Sequence, residues 1–301
     1  MEKSEFQKQM RTYQKAVQME LDRLLPEEPA ASENRLFQSM RYSLLAGGKR
    51  VRPVLVFAFC SLCGGEMEQA LPFACAIEMV HTYSLIHDDL PCMDDDDLRR
   101  GRPSNHKQFD EATALLAGDA LLTKAFETAL SPQAITAVGA NRAATAAGLL
   151  AMAAGDHGMV GGQVLDLQNE KMPDMTVERL QQTDAKKTGA LLRAAALMGC
   201  AAAGAGQEAA AAAGQYADAL GLAFQIQDDI LDVTGDEAML GKPVGSDAEN
   251  GKPTYATLMG LADARAKVEE LTSKAVDALA PFGERADFLK ELAQALAVRS
   301  N

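Results

Sequence analysis

The chain has 301 residues, of which 48% are hydrophobic and only 5% aromatic. Its 29 basic and 42 acidic residues give a net charge of −13, which disfavours binding to nucleic acid or to an anionic membrane surface. Alanine, leucine and methionine are strong helix formers and supply most of the apolar side chains, so the composition predicts an all-α protein.

Periodic apolar segments alternate with short breaks rich in glycine, proline or charge along the whole chain. No strand, fixed-period repeat or long linker is predicted, which favours one helical domain over residues 1–301. In chain order the predicted helices cover residues 6–25, 32–46, 53–62, 71–90, 111–130, 134–153, 177–197, 209–233, 254–279 and 284–298.

Neither a targeting segment nor a metal-binding cysteine pattern is evident. Residues 1–11 are polar, and charged or small residues interrupt the alanine-rich stretch 194–213, so a cytoplasmic protein without a membrane span is expected. Cys60 and Cys63 form a CxxC pair with no further ligands nearby, so buried thiols are favoured over a zinc site.

The most informative segment is the acidic run that follows the apolar helix predicted over 71–90. Asp88 and Asp89 stand near the end of this helix, and Asp94 lies beyond Pro91. Proline lacks an amide hydrogen and clashes with the preceding turn, so the helix is expected to end or kink near this point. The chain can then fold back and bring Asp94 towards Asp88, which a straight helix would not allow.

A second acidic group occurs on the helix predicted over 209–233. Asp228 and Asp232 are four residues apart and therefore share one helical face, which Gln225 borders. Two facing carboxylate clusters repel each other unless cations lie between them. Hard oxygen ligands favour Mg²⁺, which binds one or two carboxylates together with substrate phosphates. One such pair alone would be read as a solvated helix end, but two clusters favour metal binding.

Several short segments concentrate cations in this acidic chain, most of them beside a glycine or an acidic cluster. Arginine offers bidentate geometry to a phosphate and lysine a compact charge, so together these segments suit two diphosphate groups. Taken singly, each is as readily a solvated charge, and Arg102 is expected to pair with neighbouring carboxylates. The cations concerned are Lys49, Arg50, Arg52, Arg99, Arg100, Arg102, Lys187, Lys242 and Lys252.

The four histidines show no zinc spacing. His81 stands two helical turns before Asp88 on the same face, so it either donates to a phosphate or is a core histidine bonded to the backbone. Structural roles are predicted for His87, His106 and His157.

At these residues the sequence resembles the short-chain trans-prenyl diphosphate synthases, most closely the bacterial farnesyl diphosphate synthases. Several ordered motifs at the expected separations carry this resemblance through nearly the whole chain. They are GGKRVRP at 47–53, HTYSLIHDDLPCMDDDDLRRGRP at 81–103, GGQVLDL at 161–167, KTGALL at 187–192, FQIQDDILD at 224–232 and GKPVGSD at 241–247.

The resemblance implies an all-α bundle of the isoprenoid synthase type around a central cavity, usually homodimeric. It also implies about three Mg²⁺ ions, which Mn²⁺ could replace, held by the two acidic clusters. The metal ligands it implies are Asp88, Asp89, Asp94, Asp228 and Asp232.

The same resemblance assigns the substrate contacts. Lys187, Thr188 and Gln225 are implied to act nearest the reacting carbon, with Gln163 and Asp166 as partners, for example of Lys187. The implied contacts of the allylic diphosphate are Arg99, Lys187, Thr188, Gln225 and Lys242, and those of isopentenyl diphosphate are Lys49, Arg52, His81 and Arg100.

The implied reaction joins isopentenyl diphosphate head to tail with dimethylallyl and then geranyl diphosphate, giving farnesyl diphosphate and pyrophosphate. Tyr83, with its neighbour Ser84, is the candidate for limiting product length, because it stands about 7.5 Å deeper along the helix than Asp88. In this family an aromatic residue here, with two extra residues between Asp89 and Asp94, accompanies a fifteen-carbon product.

Three alternatives remain open. A geranylgeranyl diphosphate synthase would share every motif except the chain-length determinant. A non-catalytic subunit of a heteromeric prenyl synthase is disfavoured by the intact aspartates of both clusters. A terpene cyclase is disfavoured because Asp228, Asp229 and Asp232 match the elongating enzymes, and because aromatic residues are few.

Overall fold

The computed structural model describes residues 1–169, 172, 174–234 and 253–298, and it confirms the predicted all-α fold. Its first helices are α1 Lys3–Leu24, α2 Asn34–Leu44, α3 Val51–Leu62, α4 Met67–Asp88, α5 Asn105–Gln108, α6 Glu111–Ala129, α7 Pro132–Val138, α8 Ala140–Ala154 and α9 Met159–Asn169. They are followed by α10 Val177–Asp184, α11 Ala190–Ala203, α12 Gln207–Thr234, α13 Tyr255–Met259, α14 Leu261–Ala278 and α15 Asp287–Ala297.

Helix α4 is the central element of the fold. It begins with a capping box between Glu66 and Gln69 and packs against α1, α2, α3, α6 and α11. Its residues from Phe73 to Val80 are all buried, so the helix has no solvated face, as is typical of a core helix surrounded by others. Because α4 is enclosed over most of its length, its carboxyl end at Asp88 emerges from the core towards the candidate site.

Helix α12 carries the second acidic group and packs between α11 and α14. Its carboxyl-terminal half buries Ile226 and Ile230 in an apolar cluster that includes Tyr255 and Val268. Earlier along the helix, the Tyr216 hydroxyl donates to the backbone oxygen of Leu289 at 2.8 Å. These contacts fix α12 on both sides and therefore position Asp228 and its neighbours.

Several predicted boundaries were wrong because glycine and turn geometry overrode the apolar pattern. The helix predicted over 134–153 is divided into α7 and α8 at Gly139, and the one over 254–279 into α13 and α14 at Gly260, both with φ near +85°. A short antiparallel hairpin, β1 Leu98–Arg99 and β2 Arg102–Pro103, occurs where no strand was predicted. Helix α9 was also missed.

Two irregular helical segments complete the chain order. A π-helical turn, Ala185–Gly189, joins α10 to α11 and carries the KTG motif, and a 3₁₀ segment, Ala280–Ala286, precedes α15. Of the helices described here, none combines the length and the apolar character needed to cross a membrane.

Candidate active site

The first acidic cluster folds back on itself at the end of α4, as the break at Pro91 predicts. The helix ends at Asp88, and the amide of Asp94 donates to the backbone oxygen of Asp88 at 2.9 Å. Asp95 adopts left-handed backbone geometry, with φ of +50°, to complete the turn. The two carboxyl-bearing residues Asp88 and Asp94 are therefore held together by their main chain.

Asp89 is paired with Arg99. Its side chain is 2% exposed, and Oδ1 accepts from the Arg99 guanidinium, with Nε at 2.9 Å. The same guanidinium reaches Asp96 Oδ2 at 3.0 Å. Burial raises the pKa of the Asp89 carboxyl, and Arg99 opposes that shift. Asp89 thus fixes the hairpin that carries Arg99 and Arg100 against the end of α4.

Lys187 extends from the π-helical turn towards the first acidic cluster. Its ammonium contacts Asp166 Oδ2 of α9 at 2.6 Å, which confirms the predicted contact between these two residues, and it also interacts with Asp88 and Asp94. Burial raises the pKa of the Asp88 carboxyl to about 6; the Lys187 charge opposes this shift and Asp94 adds to it. Gln163 Nε2 is buried without a hydrogen-bond partner in the described part of the chain.

Close packing of α9 against the π-helical turn holds Lys187 in place. The substitution Gly162→Ala tests how much this packing contributes to stability. An added Cβ at Gly162 would lie 2.2 Å from the backbone nitrogen of Lys187. We expect the free energy of unfolding to fall by about 1–3 kcal/mol, because the backbone must shift. The matched control is Gly148→Ala in α8, where an added Cβ meets no atom within 4 Å and a gain of about 0.5–1 kcal/mol is expected. Equal effects in urea denaturation would contradict the prediction.

Asp184 is a member of the site that the sequence did not reveal. Its Oδ2 accepts from the Tyr255 hydroxyl at 2.8 Å, its carboxyl also takes a hydrogen bond from Gln225, and the charges of Asp166 and Lys187 act on it. Tyr255 is 71 residues away along the chain, so no local pattern marks the pair. Asp184 thereby connects the π-helical turn to α12 and α13.

The buried position of Asp184 predicts a specific pH dependence of stability. Burial raises its pKa from 3.8 to about 6, so between these values the folded state binds the proton more tightly than the unfolded state. The unfolding free energy therefore falls as pH rises through this window. Asp184→Asn keeps the acceptor for Tyr255 but cannot ionise, so relative to wild type it should gain on the order of 1–3 kcal/mol between pH 4 and pH 7.5.

Urea denaturation at the two pH values measures this gain. Asp156→Asn, on an exposed turn, serves as the control for loss of one surface carboxylate, and its effect on stability should be small. A stability difference between Asp184→Asn and wild type that does not change with pH would contradict the prediction.

The second acidic cluster lies at the end of α12, near α13. Asp228 is exposed, whereas Asp232, one turn later, is 2% exposed. Between them, Asp229 Oδ2 accepts from the backbone amide of Tyr255 at 2.8 Å and so holds the start of α13. Because Tyr255 also donates to Asp184, on which the charge of Lys187 acts, Asp184 and Tyr255 link the surroundings of Lys187 to the second cluster.

Among the predicted basic residues, Arg52 and Arg100 lie close to His81 of α4. Burial lowers the pKa of Arg52 to about 10, and burial together with Arg52 and Arg100 holds the pKa of His81 well below its usual range, so His81 is neutral. Arg100 donates to the backbone oxygen of Gly47. Glycine suits position 48 because its φ of +118° is a backbone geometry that residues with a side chain rarely adopt.

The donor set of the first cluster suits Mg²⁺. Among the residues that the structure describes, no three His, Cys, Asp or Glu side chains form a preassembled metal site. Mg²⁺ commonly uses only one or two carboxylates and completes its shell with water and substrate phosphates. Burial and the charge of Asp94 both disfavour an ionised Asp88, and a bound cation would relieve both effects.

The remaining predicted residues divide into those with structural contacts and two that lie outside the described residues. His87 Nε2 contacts the backbone oxygen of Leu115 at 3.0 Å, and His106 lies buried beside Ser104, in accord with structural roles. Cys60 is buried and burial raises its pKa to about 12, in accord with a core thiol. Lys242 and Lys252 lie outside the described residues.

Residues 33–284 match the Polyprenyl synthetase family. The chain belongs to this family. It is 44% identical to the farnesyl diphosphate synthase of Bacillus subtilis (strain 168), over 88% of this chain and 89% of the relative. It is 47% identical to the heterodimeric geranylgeranyl pyrophosphate synthase large subunit 1, chloroplastic, of Arabidopsis thaliana, over 91% and 74%. An FPP/GFPP synthase from Zymomonas mobilis superposes with a TM-score of 0.88 at 36% identity, covering 98% and 99% of the two chains.

As a family member, the chain is a trans-prenyl diphosphate synthase, a prenyltransferase of isoprenoid biosynthesis. The acidic clusters and the cations described above lie within the matched region, as does Tyr83. The similar relatives include both farnesyl and geranylgeranyl synthases, so their similarity does not determine the length of the product.

Proposed function

We propose that the chain condenses isopentenyl diphosphate with dimethylallyl and then geranyl diphosphate to give farnesyl diphosphate. The observation that carries this proposal is the arrangement along α4. A carboxylate pair, Asp88 and Asp94, stands at its end, and the neutral His81 stands two turns earlier beside Arg52 and Arg100. A metal-bound diphosphate and a directly bound diphosphate would thus lie side by side.

The allylic diphosphate is assigned to the acidic side. Asp88, Asp94 and the second cluster, Asp228 with Asp232, would hold Mg²⁺, and Asp89 would act through Arg99. About three ions are expected, with Mn²⁺ able to replace them. When bound, Mg²⁺ neutralises the charge that grows on the departing pyrophosphate. In this proposal the Lys187 ammonium moves from Asp166 towards the diphosphate, and Lys242 is assigned to the same group.

Isopentenyl diphosphate is assigned to the basic cluster around His81 of α4. Its proposed contacts are Lys49, Arg52, His81 and Arg100. Arg52 Nε is buried and lacks a hydrogen-bond partner among the described residues, so a diphosphate oxygen would satisfy it. The neutral His81 can donate one hydrogen bond without adding charge. Lys49 is exposed, and its backbone oxygen accepts from Gln14 at 2.9 Å, which holds the loop.

The chain needs no nucleophilic side chain for this reaction. The C–O bond of the allylic diphosphate breaks, the double bond of isopentenyl diphosphate attacks the resulting cation, and a proton leaves, with pyrophosphate as the proposed base. Thr188 and Gln225 would present oxygens to the cation. Gln225 donates to Asp184 in the structure, which orients its amide oxygen away from that carboxylate.

Tyr83 supports a fifteen-carbon product. It is 6% exposed and lies one turn before His87, which contacts α6 through Leu115. Burial raises the pKa of the Tyr83 hydroxyl and the nearby Asp88 carboxylate adds to this shift, so the hydroxyl lies within range of the charge of that carboxylate. Ser84 donates to the backbone oxygen of His81 and is the adjacent candidate. A geranylgeranyl product is the second candidate, favoured by the identity to the Arabidopsis thaliana relative.

Product analysis tests the proposal. Purified chain is incubated with isopentenyl diphosphate, dimethylallyl diphosphate and Mg²⁺, and the products are dephosphorylated and separated as alcohols. Mainly farnesol would support the proposal, and mainly geranylgeraniol would retain the reaction but overturn the assigned length. No condensation without an added partner would favour a non-catalytic subunit.

The proposal also includes a single domain over residues 1–301 that forms a homodimer. Neighbouring helices expose apolar side chains that a second copy could cover, namely Leu115 and Leu116 of α6, Met152 of α8, and Val160 and Val164 of α9. The Arabidopsis thaliana relative is named as heterodimeric, so the alternative is a different partner. Sedimentation of the purified chain decides between dimer and monomer. A cytoplasmic location stays a prediction.

A further inference from the structure

Arg50 lies between two residues assigned to isopentenyl diphosphate, yet its side chain points into the core. Among the residues described, only Arg50, Asp95 and Arg100 adopt positive φ without being glycine, and all three lie beside proposed ligands. Such geometry is unfavourable for a side-chain-bearing residue and persists only where the surroundings enforce it. Here Arg50, with φ of +52°, directly precedes α3 and separates Lys49 from Arg52.

The guanidinium of Arg50 is held by three acceptors from different parts of the chain. Nη1 donates to Glu78 Oε1 of α4, and Nη2 donates to Gln18 Oε1 of α1 at 2.9 Å and to the backbone oxygen of Leu44 at 2.6 Å. The side chains of Arg50 and Glu78 are each 2% exposed. A buried pair of this kind contributes little net stability compared with apolar residues of similar size, so stability alone does not account for it.

Glu78 is also the carboxylate that acts on the rest of the basic cluster. Its charge favours the protonated forms of both Arg52 and Arg100, against the burial that lowers their pKa values. It stands three residues before His81 on the same face of α4. Glu78 is in direct contact with Arg50 and acts on Arg52 and Arg100 through its charge. The guanidinium groups of Arg52 and Arg100 can therefore still bind an anion.

We propose that the buried Arg50–Glu78 pair is a positioning device for the isopentenyl diphosphate pocket. Arg50 fixes the left-handed turn between Lys49 and Arg52 and so places both at the pocket, and Glu78 supplies the countercharge that keeps the cluster assembled before the diphosphate binds. The inference rests on the proposed function. It assigns no contact with substrate to either residue and predicts an effect on one substrate pocket only.

The KM values of Glu78→Gln for the two substrates test this proposal. The variant keeps the shape of Glu78 but loses its charge. We expect KM for isopentenyl diphosphate to rise at least tenfold, with KM for geranyl diphosphate and kcat within about threefold of wild type, since the carboxylate side is untouched. Glu270→Gln, on the exposed face of α14, is the control for loss of one surface charge and should change neither KM value.

A second variant keeps the proposal testable if Glu78→Gln does not fold. Gln18→Ala removes one acceptor of Arg50 and leaves the ion pair, so a two- to fivefold rise in KM for isopentenyl diphosphate alone is expected. Equal rises for both substrates, or a lower melting temperature without any change in KM, would mean a merely structural pair and would overturn the inference.

The wild-type reaction, run alongside, distinguishes a failure of the proposed function from a failure of the positioning role. If wild type forms no product, the binding of isopentenyl diphosphate to wild type and to the variants is measured by calorimetry instead. At least tenfold weaker binding to Glu78→Gln supports the positioning role independently of turnover, and unchanged binding overturns it.

Discussion

Asp88→Ala is expected to lower the rate of condensation by about 10³-fold while the chain stays folded. The loss is large because Asp88, whose charge acts on Lys187 together with those of Asp94 and Asp166, is a proposed metal ligand for the allylic diphosphate. The turn should persist, since Asp94 donates to the main-chain oxygen of Asp88 and not to its carboxylate. Burial disfavours the ionised carboxylate, so the melting temperature without metal should be unchanged or higher.

The assay compares steady-state incorporation of isopentenyl diphosphate at saturating Mg²⁺. The matched control is Asp97→Ala in the same acidic run, because Asp97 is exposed and pairs with Lys107 at 2.8 Å; it should retain activity within about twofold. Near-normal turnover of Asp88→Ala would exclude Asp88 as a metal ligand. Equal losses in both variants would mean that the acidic run acts through its total charge.

The parts of the fold that follow from local chemistry could be predicted from the sequence. Pro91 predicts both the end of α4 and the return of Asp94, because its missing amide hydrogen and steric clash act within one turn. The breaks at Gly139 and Gly260 were missed because a single glycine is tolerated within a helix, and its positive φ depends on packing between neighbouring helices. The hairpin at 98–103 is too short to produce a strand pattern.

The residues of the candidate site that belong to sequence motifs could be predicted. The contacts that join residues far apart in the sequence could not. Lys187 and Asp166 were paired through the motifs that contain them. By contrast, the Asp184–Tyr255 contact spans 71 residues and the Arg50–Glu78 pair spans 28, and neither lies at a helical or strand spacing. Such partners are determined by how α4, α10 and α13 pack, which no local pattern specifies.

Tyr83→Ala is expected to lengthen the product beyond fifteen carbons, with geranylgeraniol as the main alcohol after dephosphorylation. The ring of Tyr83 lies deeper along α4 than Asp88 and meets the His87 ring edge-on, with centroids 5.6 Å apart and planes at 76°. His87 is itself fixed against α6, where Gly118 leaves room for its ring. The ring cannot easily move aside for a longer chain, so removing it opens space at that depth.

The matched control is Tyr83→Phe, which keeps the ring and removes only the hydroxyl. Farnesol should remain its main product, because a floor acts through volume and not through hydrogen bonding. An unchanged product profile for Tyr83→Ala would remove Tyr83 as the floor and direct attention to Ser84, one residue closer to the carboxylates. A longer product from both variants would instead assign the limit to the hydroxyl and its proximity to the Asp88 carboxylate.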